Sequence, residues 1–346
     1  MDTVGIGMVG SGYMALTYSE AIAHHVKGAR LAAIAGGRRA TGLAAEYGVD
    51  SEQSVESLLA RPDVDAVVLT TPDQVHHAHT LEAAAAGKHV LVEKPMAPTV
   101  AQCDEMIVAC RSAGVKLAVV KTERYRGVTI RAKQLIDGGR IGAIWMLRTV
   151  SCFPATVGKQ ILESRPWYTD RSGGGLFMSM ASHNADMLLW LTGVRARQVF
   201  AQASTFSDVG ATTQSVMAQI AFENGIMGQM WISAEMPTPS LPSSEVRFQV
   251  VGAQGIIDFE DYEFLDLGAG ERWERLYTPQ RFDYVREPKS PIRLEPHIGV
   301  VQEFVCSILE DRQPGVTGED GRAAVELCQA CLISAHTGRA VDLPFA

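Results

Sequence analysis

Residues 4–15 read VGIGMVGSGYMA, an apolar run that leads directly into a glycine-rich turn. The pattern G-x-G-x-x-A begins at Gly10, where the apolar run ends and a helical pattern starts. In such a turn, Gly10 permits a tight bend, Gly12 lets the backbone approach a pyrophosphate, and the small third residue allows close helix–strand contact. The phosphates then lie at a helix N-terminus, where free N–H groups favour an anion. We predict that Tyr13 and Met14 border a bound dinucleotide together with the two glycines.

The first 122 residues alternate between strand-like and helical patterns. Strands are predicted at Val4–Val9, Leu31–Ala35, Ala66–Leu69, His89–Val92 and Lys116–Val120. Helices are predicted at Tyr13–His24, Arg39–Tyr47, Ser54–Ala60, Val75–Ala86 and Val100–Ala113. This alternation is typical of parallel strands joined by crossover helices that cover both faces of the sheet. We predict an α/β dinucleotide-binding domain over residues 1–122, built on a doubly wound parallel sheet.

From residue 123 the pattern becomes mostly strand-like. Strands are predicted at Ala143–Phe153, Gln198–Phe206, Gln214–Phe222, Ile226–Ala234, Glu245–Val251 and Ile256–Glu260. Helices are predicted at Thr129–Asp137, Met180–Leu191, Glu295–Glu310 and Gly318–Thr337. Turn residues between several strands indicate antiparallel neighbours. We predict an α+β domain over residues 123–346 with a large, mostly antiparallel open sheet.

Composition narrows the class of protein. A chain of 346 residues exceeds the size of one usual core, and 47% apolar with 20% charged residues is typical of a soluble globular protein. The formal charge of −8, without a basic stripe, argues against nucleic acid as a partner. No run approaches the ~18 apolar residues of a membrane span, and the N-terminus does not resemble a signal peptide. We therefore expect a cytoplasmic protein.

The six cysteines do not form the framework of a small disulfide-rich protein. Cys328 and Cys331 have a spacing that redox and metal sites use, but they lie within a helical pattern. No second cysteine pair completes a zinc set. We predict that both cysteines pack in the core.

The turn after the second predicted strand bears on the choice of cofactor. NAD-binding domains of this kind usually carry an acidic residue here, whereas this chain has Gly36, Gly37, Arg38 and Arg39. Guanidinium groups match a 2′-phosphate bidentately, which favours NADP over NAD. A solvated helix start would explain the same residues, so NAD stays open.

The predicted strand His89–Val92 leads into Glu93-Lys94-Pro95. Ligands of open α/β sheets bind outside the carboxyl ends of the strands, so we expect Lys94 to border a nicotinamide. Its ammonium group could hydrogen-bond the substrate oxygen and share its proton as hydride leaves the carbon. A lysine after a strand is otherwise usually solvated.

Several motifs together resemble the Gfo/Idh/MocA oxidoreductases, the relatives of glucose–fructose oxidoreductase and inositol dehydrogenase. They are Gly10-Ser11-Gly12, TPDQVH at 71–76, GKHVLVEKP at 87–95, a later glycine-rich His/Asp motif, VTGEDGR at 316–322 and TGR at 337–339. The resemblance spans nearly the whole chain. It implies a Rossmann-type first domain, and it implies that Lys94 is the catalytic or substrate-polarising lysine.

The resemblance also implies further residues and partners. Thr71, Pro72, His76 and Glu93 would line the cofactor. No metal is implied, and the neighbouring histidines 77 and 79 would merely lie close by. The implied substrate is a sugar, an inositol or a similar cyclic polyol. The sheet of the second domain is expected to form a homodimer or homotetramer interface.

The glycine-rich motif in the second domain is GGGLFMSMASHNAD at 173–186. The family pattern resembles G-G-G-x-x-x-D-x-G-x-H-x-x-D, which His183 and Asp186 match. Ser179 stands where relatives usually carry an aspartate. A serine can position a substrate hydroxyl but cannot take its proton near neutral pH, so proton transfer is assigned to His183 or Lys94. Asp186 is expected to have a supporting role.

The walls of the substrate site are predicted from residues beside these motifs. Thr122, Arg124 and Tyr125 follow the fifth predicted strand, and Trp167 precedes the glycine run. An aromatic face beside charged donors suits a ring with several hydroxyl groups. Packing of a hinge and a loop would explain the same residues.

The sequence thus predicts an NAD(P)-dependent oxidoreductase acting on a hydroxyl or keto carbon, with Lys94 on the substrate oxygen and His183 as acid and base. Three alternatives stay open. One is a glycosidase or lyase that uses NAD by transient oxidation, another is a dihydrodiol dehydrogenase, and the third is a non-catalytic NAD(P)-sensing regulator.

Overall fold

The computed structural model describes residues 3–170, 175–207, 213–283 and 286–345. Gly173 and Gly174 of the second-domain motif therefore lie outside the described residues. The chain forms two compact units. The first unit comprises Met1–Tyr125 and Phe282–Arg322, and the second comprises Arg126–Arg281 and Ala323–Ala346.

The first unit contains a six-stranded, all-parallel sheet. Its strands are β1 (Val4–Val9), β2 (Ala29–Ala35), β3 (Asp50–Glu52), β4 (Ala66–Leu69), β5 (His89–Val92) and β6 (Leu117–Val119). Their order is β3-β2-β1-β4-β5-β6. The order reverses between β1 and β4, and the carboxyl edge at such a reversal is where ligands of this architecture bind. The predicted doubly wound sheet is confirmed.

Helices connect these strands. They are α1 (Tyr13–His24), α2 (Ala40–Tyr47), α3 (Val55–Leu59), α4 (His76–Ala85) and α5 (Val100–Ser112), with 3-10 turns at Asp73–Val75 and Thr122–Tyr125. Strand β1 is buried along its whole length. A strand covered on both faces reads as a continuous apolar run, which is why the sequence located it.

Helix α9 (Pro291–Leu309) also belongs to the first unit. Its apolar residues, among them Val301 and Phe304, lie in one core cluster with Tyr18 and Ile22 of α1. The division of the sequence at residue 122 placed 282–322 in the second domain, whereas these residues are part of the first compact unit. The cause is this packing of α9 on α1, between segments far apart in sequence.

The second unit is built on a nine-stranded sheet. Its strands are β7 (Ile144–Pro154), β8 (Ala196–Ser204), β9 (Ser215–Phe222), β10 (Met227–Met236), β11 (Arg247–Gly252), β12 (Ile256–Glu260), β13 (Phe264–Ala269), β14 (Arg272–Tyr277) and β15 (Val341–Asp342). Their order is β14-β13-β12-β11-β7-β10-β9-β8-β15. Only the pair β7 and β10 is parallel among these described strands. The predicted large, mostly antiparallel sheet is confirmed.

The remaining described helices are α6 (Gly127–Asp137), α7 (Ala155–Ser164), α8 (Gly175–Thr192) and α10 (Gly318–Thr337), with a 3-10 turn at Pro166–Thr169. Helix α8 packs on β7 and β10. Asn184 of α8 donates from Nδ2 to Oγ of Ser151 over 3.0 Å, and also to Oγ1 of Thr149. This buried polar contact fixes α8 against the sheet, because a lost partner would leave a polar group unsatisfied in the core.

The opposite face of this sheet, called the open face here, carries exposed apolar side chains. Met146, Phe200, Met217 and Met227 are exposed on it, and Trp231 lies beside Met217 on the neighbouring strand.

No helix of the described residues is long and apolar enough to span a membrane.

All six cysteines are free thiols. Cys328 and Cys331 are fully buried within α10, which confirms that they pack in the core. Burial raises the pKa of the Cys331 thiol, so it stays protonated at neutral pH.

Candidate functional site

The turn between β1 and α1 has the backbone geometry that the glycine pattern requires. Gly10 has a φ of +112°, and a Cβ atom there would lie 2.5 Å from Oγ1 of Thr70. The N–H group of Gly10 donates to the carbonyl oxygen of Ala35 over 2.7 Å, which fastens the turn to β2. Any side chain at Gly10 would therefore strain the backbone and clash with the loop after β4.

The N-terminus of α1 suits an anion. Gly12 is its N-cap residue, no side chain caps the helix, and the first turn carries no acidic residue. A Cβ atom at Gly12 would meet no described heavy atom within 4 Å, so the space beside it is open. Unsatisfied N–H groups and the helix dipole favour a negative group there. The turn therefore fits the pyrophosphate of a dinucleotide.

The two residues that open α1 differ in exposure. Tyr13 is 40% exposed and Met14 is half-buried. Cζ of Arg293 in α9 lies 4.7 Å from the centroid of the Tyr13 ring, and Nη2 of Arg293 donates to Oγ1 of Thr17 over 2.9 Å. This cation–π contact fixes the aromatic ring at the opening of the dinucleotide turn.

The turn after β2 lies against the first turn. Gly36 and Gly37 have φ angles of +81° and +78°. The backbone N–H of Arg39 donates to Oγ of Ser11 over 3.1 Å. The side chains of Arg38 and Arg39 are exposed, and neither has an ion pair within the described ranges. They therefore lie beside the glycine turn, and no described residue forms an ion pair with either of them.

The loop after β4 is joined to the loop that carries Lys94 through His76. Thr71 is half-buried and Pro72 is exposed, but His76 is only 1% exposed. Its Nε2 lies 2.8 Å from the carbonyl oxygen of Thr71, and its Nδ1 lies 3.0 Å from that of Pro95. Burial lowers the pKa of His76 to about 4, despite contacts with carbonyl oxygens that favour the charged ring. His76 thus sits inside the fold and joins two loops of the site.

The two neighbouring histidines have other partners. Nε2 of His77 lies 2.7 Å from Oε2 of Glu105, and Nδ1 of His79 lies 3.2 Å from Oγ1 of Thr71. Within the part of the chain that the structure describes, no three or more His, Cys, Asp or Glu residues are grouped to hold a metal ion.

Lys94 is half-buried at the carboxyl end of β5, two strands from β1. Glu93, immediately before it, is 7% exposed and points into the protein. The Tyr18 hydroxyl donates to Oε1 of Glu93 over 2.8 Å, and the Lys94 backbone N–H donates to Oε2 over 2.9 Å. Burial raises the pKa of Glu93, although the charge of Lys94 and the Tyr18 hydrogen bond act against it. That Glu93 contacts a cofactor stays a prediction.

The residues after β6 form a 3-10 turn at the same sheet edge. Thr122 and Arg124 are buried and Tyr125 is half-buried. Nη2 of Arg124 lies 3.2 Å from Oδ1 of Asp320. Burial would raise the pKa of Asp320, but the charge of Arg124 and hydrogen bonds from Thr317 outweigh it, and the pKa is lowered. Arg124 therefore already has one ion-pair partner, and its contact with substrate stays a prediction.

The remaining predicted residues belong to the second unit. On α8, Ser179 and Asp186 are buried and His183 is half-buried. Positions three and four apart share a helix face, so the three side chains follow one stripe. Trp167 is half-buried in a 3-10 turn, where its ring meets Tyr168 edge-on at a centroid distance of 5.7 Å.

The structure thus brings the predicted cofactor residues and Lys94 to one edge of the parallel sheet, and Ser179 and His183 to one stripe of α8. The sequence analysis did not predict two residues that interact with Glu93, namely Tyr18 and Lys121. Tyr18 lies in the apolar stripe of α1, where an aromatic residue carries no functional signal. Lys121 directly follows the buried strand β6 and is only 2% exposed. A charged residue that continues an apolar strand was the available signal.

A doubly wound parallel sheet, a glycine turn with an open helix N-terminus and a lysine at the same edge define an NAD(P)-binding oxidoreductase. Comparison with known families agrees. The model of the oxidoreductase family with an NAD-binding Rossmann fold matches residues 4–121, and the GFO/IDH/MocA C-terminal domain matches residues 129–258. The chain belongs to the GFO/IDH/MocA oxidoreductase family.

Individual relatives cover most of the chain. It is 30% identical over 312 residues to 1,5-anhydro-D-fructose reductase of Ensifer adhaerens, with 88% of each chain covered. It is 27% identical over 351 residues to inositol 2-dehydrogenase 2 of Saccharopolyspora erythraea, covering 99% of this chain and 96% of the relative. The structure of aldose–aldose oxidoreductase from Caulobacter crescentus complexed with glycerol matches with a TM-score of 0.83 at 27% identity, covering 99% of this chain and 100% of that one.

Proposed function

We propose that this protein is an NAD(P)-dependent dehydrogenase or reductase that acts on a hydroxyl or keto carbon of a sugar, an inositol or a similar cyclic polyol. The proposal rests on one observation. The N-terminus of α1 is open and uncapped, and it follows β1, a strand of the same parallel sheet in which β5 leads to Lys94. The names of the relatives, an anhydrofructose reductase and an inositol dehydrogenase, support the substrate class. The first unit would bind the dinucleotide, and the second would contribute substrate contacts.

The cofactor's nicotinamide supplies the hydride acceptor or donor when it is bound. Lys94 would donate a hydrogen bond from Nζ to the substrate oxygen, polarising a carbonyl in reduction and sharing the hydroxyl proton in oxidation. His183 would act as the acid and base, since an imidazole exchanges protons near neutral pH. Ser179 would only orient a hydroxyl group. Thr122, Arg124, Tyr125 and Trp167 would supply further substrate contacts.

NADP is proposed as the preferred cofactor. Arg38 and Arg39 are exposed beside the glycine turn, and the described residues supply neither of them with an ion-pair partner. The 2′-phosphate of NADP would form ion pairs with these two arginines, because guanidinium groups bind phosphate bidentately. Gly10, Gly12, Tyr13, Met14 and Gly36 would surround the rest of the dinucleotide.

A second copy of the chain is proposed as the partner of the open sheet face. Exposed apolar side chains, Met146, Phe200 and Met217, lie on it among polar neighbours. Such patches are typical of interfaces between subunits. Sedimentation of the wild-type chain and of Met217→Asp tests this, since the charged variant should lose the dimer or tetramer. A monomeric wild-type protein would contradict it.

A cytoplasmic location is also part of the proposal, and the six free thiols accord with it.

The function is tested by following absorbance at 340 nm with a panel of inositols, aldoses, keto-sugars and dihydrodiols, each with NAD and NADP separately. We expect steady cofactor turnover with at least one cyclic polyol or sugar. The absence of turnover with every member of the panel, in both directions, would contradict the proposal.

A second candidate is hydrolysis or elimination by transient oxidation with tightly held NAD. The observation that favours it is Ser179, which replaces the expected aspartate on α8. In this case the substrate is converted to product, but the absorbance at 340 nm shows no lasting change. Product analysis of the same panel by mass spectrometry separates the two reactions.

A further inference from the structure

Glu93 is a buried acidic residue that immediately precedes the proposed catalytic lysine, Lys94, in the sequence. Both of its oxygens have protein partners: Oε1 accepts a hydrogen bond from the Tyr18 hydroxyl over 2.8 Å, and Oε2 accepts one from the Lys94 backbone N–H over 2.9 Å. Tyr18 is itself fully buried in α1, 75 residues away in sequence. The hydrogen bond therefore ties the first helix of the dinucleotide turn to the segment that carries Lys94.

The two hydrogen bonds favour the ionised form of Glu93. A carboxylate offers acceptors on both oxygens, whereas a protonated carboxyl group carries one O–H donor. Because Tyr18 and the Lys94 backbone both donate, a proton on either oxygen would make that oxygen a weaker acceptor for its donor. Burial opposes the charge, so the site must supply compensation.

Lys121 supplies part of that compensation. Strands β5 and β6 are paired in parallel register from Val90 and Leu117 to Val92 and Val119, so Lys94 and Lys121 follow at corresponding positions. Lys121 is 2% exposed, and a lysine is almost never so buried unless its charge is paired. Its charge favours the ionised form of Glu93, as does that of Lys94.

We propose that Tyr18 and Lys121 are positioning residues for Lys94: they hold Glu93 as a carboxylate, and Glu93 fixes the backbone from which the Lys94 ammonium extends. This inference rests on the proposed function for the role of Lys94. It adds two residues that no motif of the chain identifies.

Other charged and titratable groups surround Tyr18 and must be considered with it. Arg293 of α9 and Glu123 of the 3-10 turn act on the Tyr18 hydroxyl with opposite signs. The ring of His297 in α9 meets the Tyr18 ring edge-on at 5.7 Å. Burial and the charge of Glu93 raise the pKa of Tyr18 well above its usual range, so its hydroxyl keeps the proton that it donates.

The first test compares Tyr18→Phe and Lys121→Met with a matched control, Tyr47→Phe. Tyr47 also donates to a carboxylate, Oε2 of Glu20, over 2.6 Å, but it lies at the end of α2. We expect Tyr18→Phe and Lys121→Met to lower kcat/KM about tenfold, the effect of losing one interaction with a charged group, while Kd for NAD(P)H changes less than about twofold. The acidic limb of the kcat/KM profile should move to higher pH. Tyr47→Phe should change neither quantity, and Lys121→Arg should restore most of the activity.

The second test reads Glu93 directly and needs no turnover. In protein labelled with ¹³C at the glutamate carboxyl carbons, the Glu93 signal is assigned by its loss in Glu93→Gln. Its titration midpoint should rise in Tyr18→Phe and in Lys121→Met, because each substitution removes an interaction that favours the carboxylate. Unchanged midpoints would overturn the inference, whether or not a substrate is found. An unchanged pH profile in both variants, with an active wild-type enzyme, would also overturn it and would leave the proposed function standing.

Discussion

The imidazole of His76 lies with Nδ1 3.0 Å from the carbonyl oxygen of Pro95, the residue that follows Lys94. Its other nitrogen, Nε2, lies 2.8 Å from the carbonyl oxygen of Thr71. A neutral imidazole has a single N–H and can donate to only one of these oxygens at a time. The ring nevertheless stays neutral near pH 7, because burial lowers its pKa to about 4.

This burial predicts a specific pH dependence of stability. His76 titrates near 6.5 when unfolded and near 4 when folded, so protons favour the unfolded chain. Its contribution is fully present above pH ~6.5 and is lost as the pH falls towards 4, by about 3 kcal/mol in total. His76→Gln lacks this loss. Urea unfolding of both proteins at several pH values between 7 and 4 measures the difference.

Two half-buried histidines, His79 and His89, contribute equally to both proteins in that comparison. Burial also lowers the pKa values of His79 and His89, but both are present in the wild type and in the variant. If the free energies of unfolding of the two proteins fall in parallel with pH, the buried neutral state of His76 is wrong.

Gly12→Ala should separate cofactor binding from folding. A Cβ atom at Gly12 meets no described heavy atom within 4 Å, so the substitution should leave Tm nearly unchanged. It fills the space proposed for the pyrophosphate, and we expect Kd for the dinucleotide to rise by more than about tenfold. Gly42→Ala, at an equally open position in α2, is the matched control and should leave Kd unchanged.

Gly10→Ala should behave differently from Gly12→Ala. Its φ of +112° and the 2.5 Å approach to Thr70 Oγ1 predict a loss of stability as well as of binding. Thermal unfolding and fluorescence titration with NADPH measure both quantities. Equal stability of the two alanine variants would contradict the geometry of the turn.

The arginine pair predicts which dinucleotide binds more tightly. The double variant Arg38→Ala with Arg39→Ala should weaken NADPH binding about 10- to 100-fold and NADH binding by no more than about threefold, since only NADPH carries the 2′-phosphate. Arg30→Ala is the control, because Arg30 lies near the other end of β2 and pairs with Asp63. Equal losses for NADH and NADPH in the double variant would count against a phosphate clamp.

Much of the first unit follows from local pattern. β1, α1, β4 and β5 end where the sequence predicted, because each is a buried run or an amphipathic helix bounded by glycine or polar turns. Short or unpatterned elements could not be found in this way. β3 is three polar residues, and β14 is exposed at nearly every position, so neither shows a strand's alternation.

The site shows the same division between local and distant information. Gly10, Gly12 and Lys94 stand in motifs whose chemistry is local. The hydrogen bond from Tyr18 to Glu93 joins residues 75 positions apart, and the Arg124–Asp320 pair joins residues 196 apart. Such partners depend on tertiary packing, as does the placement of α9 in the first unit. The motif around Lys94 therefore predicted a functional lysine, but it did not predict the residues that surround Glu93 beside it.

The most direct test of the central claim is the kcat of Lys94→Ala, measured on a substrate that the wild-type protein oxidises, together with its Kd for NAD(P)H. We predict that kcat falls about 10²- to 10⁴-fold, the usual contribution of an acid–base group, while Kd changes less than about threefold. Lys116→Ala, beyond the amino end of β6, should keep wild-type values of both. A Lys94→Ala protein that retains the wild-type kcat would show that this lysine does not act on the substrate.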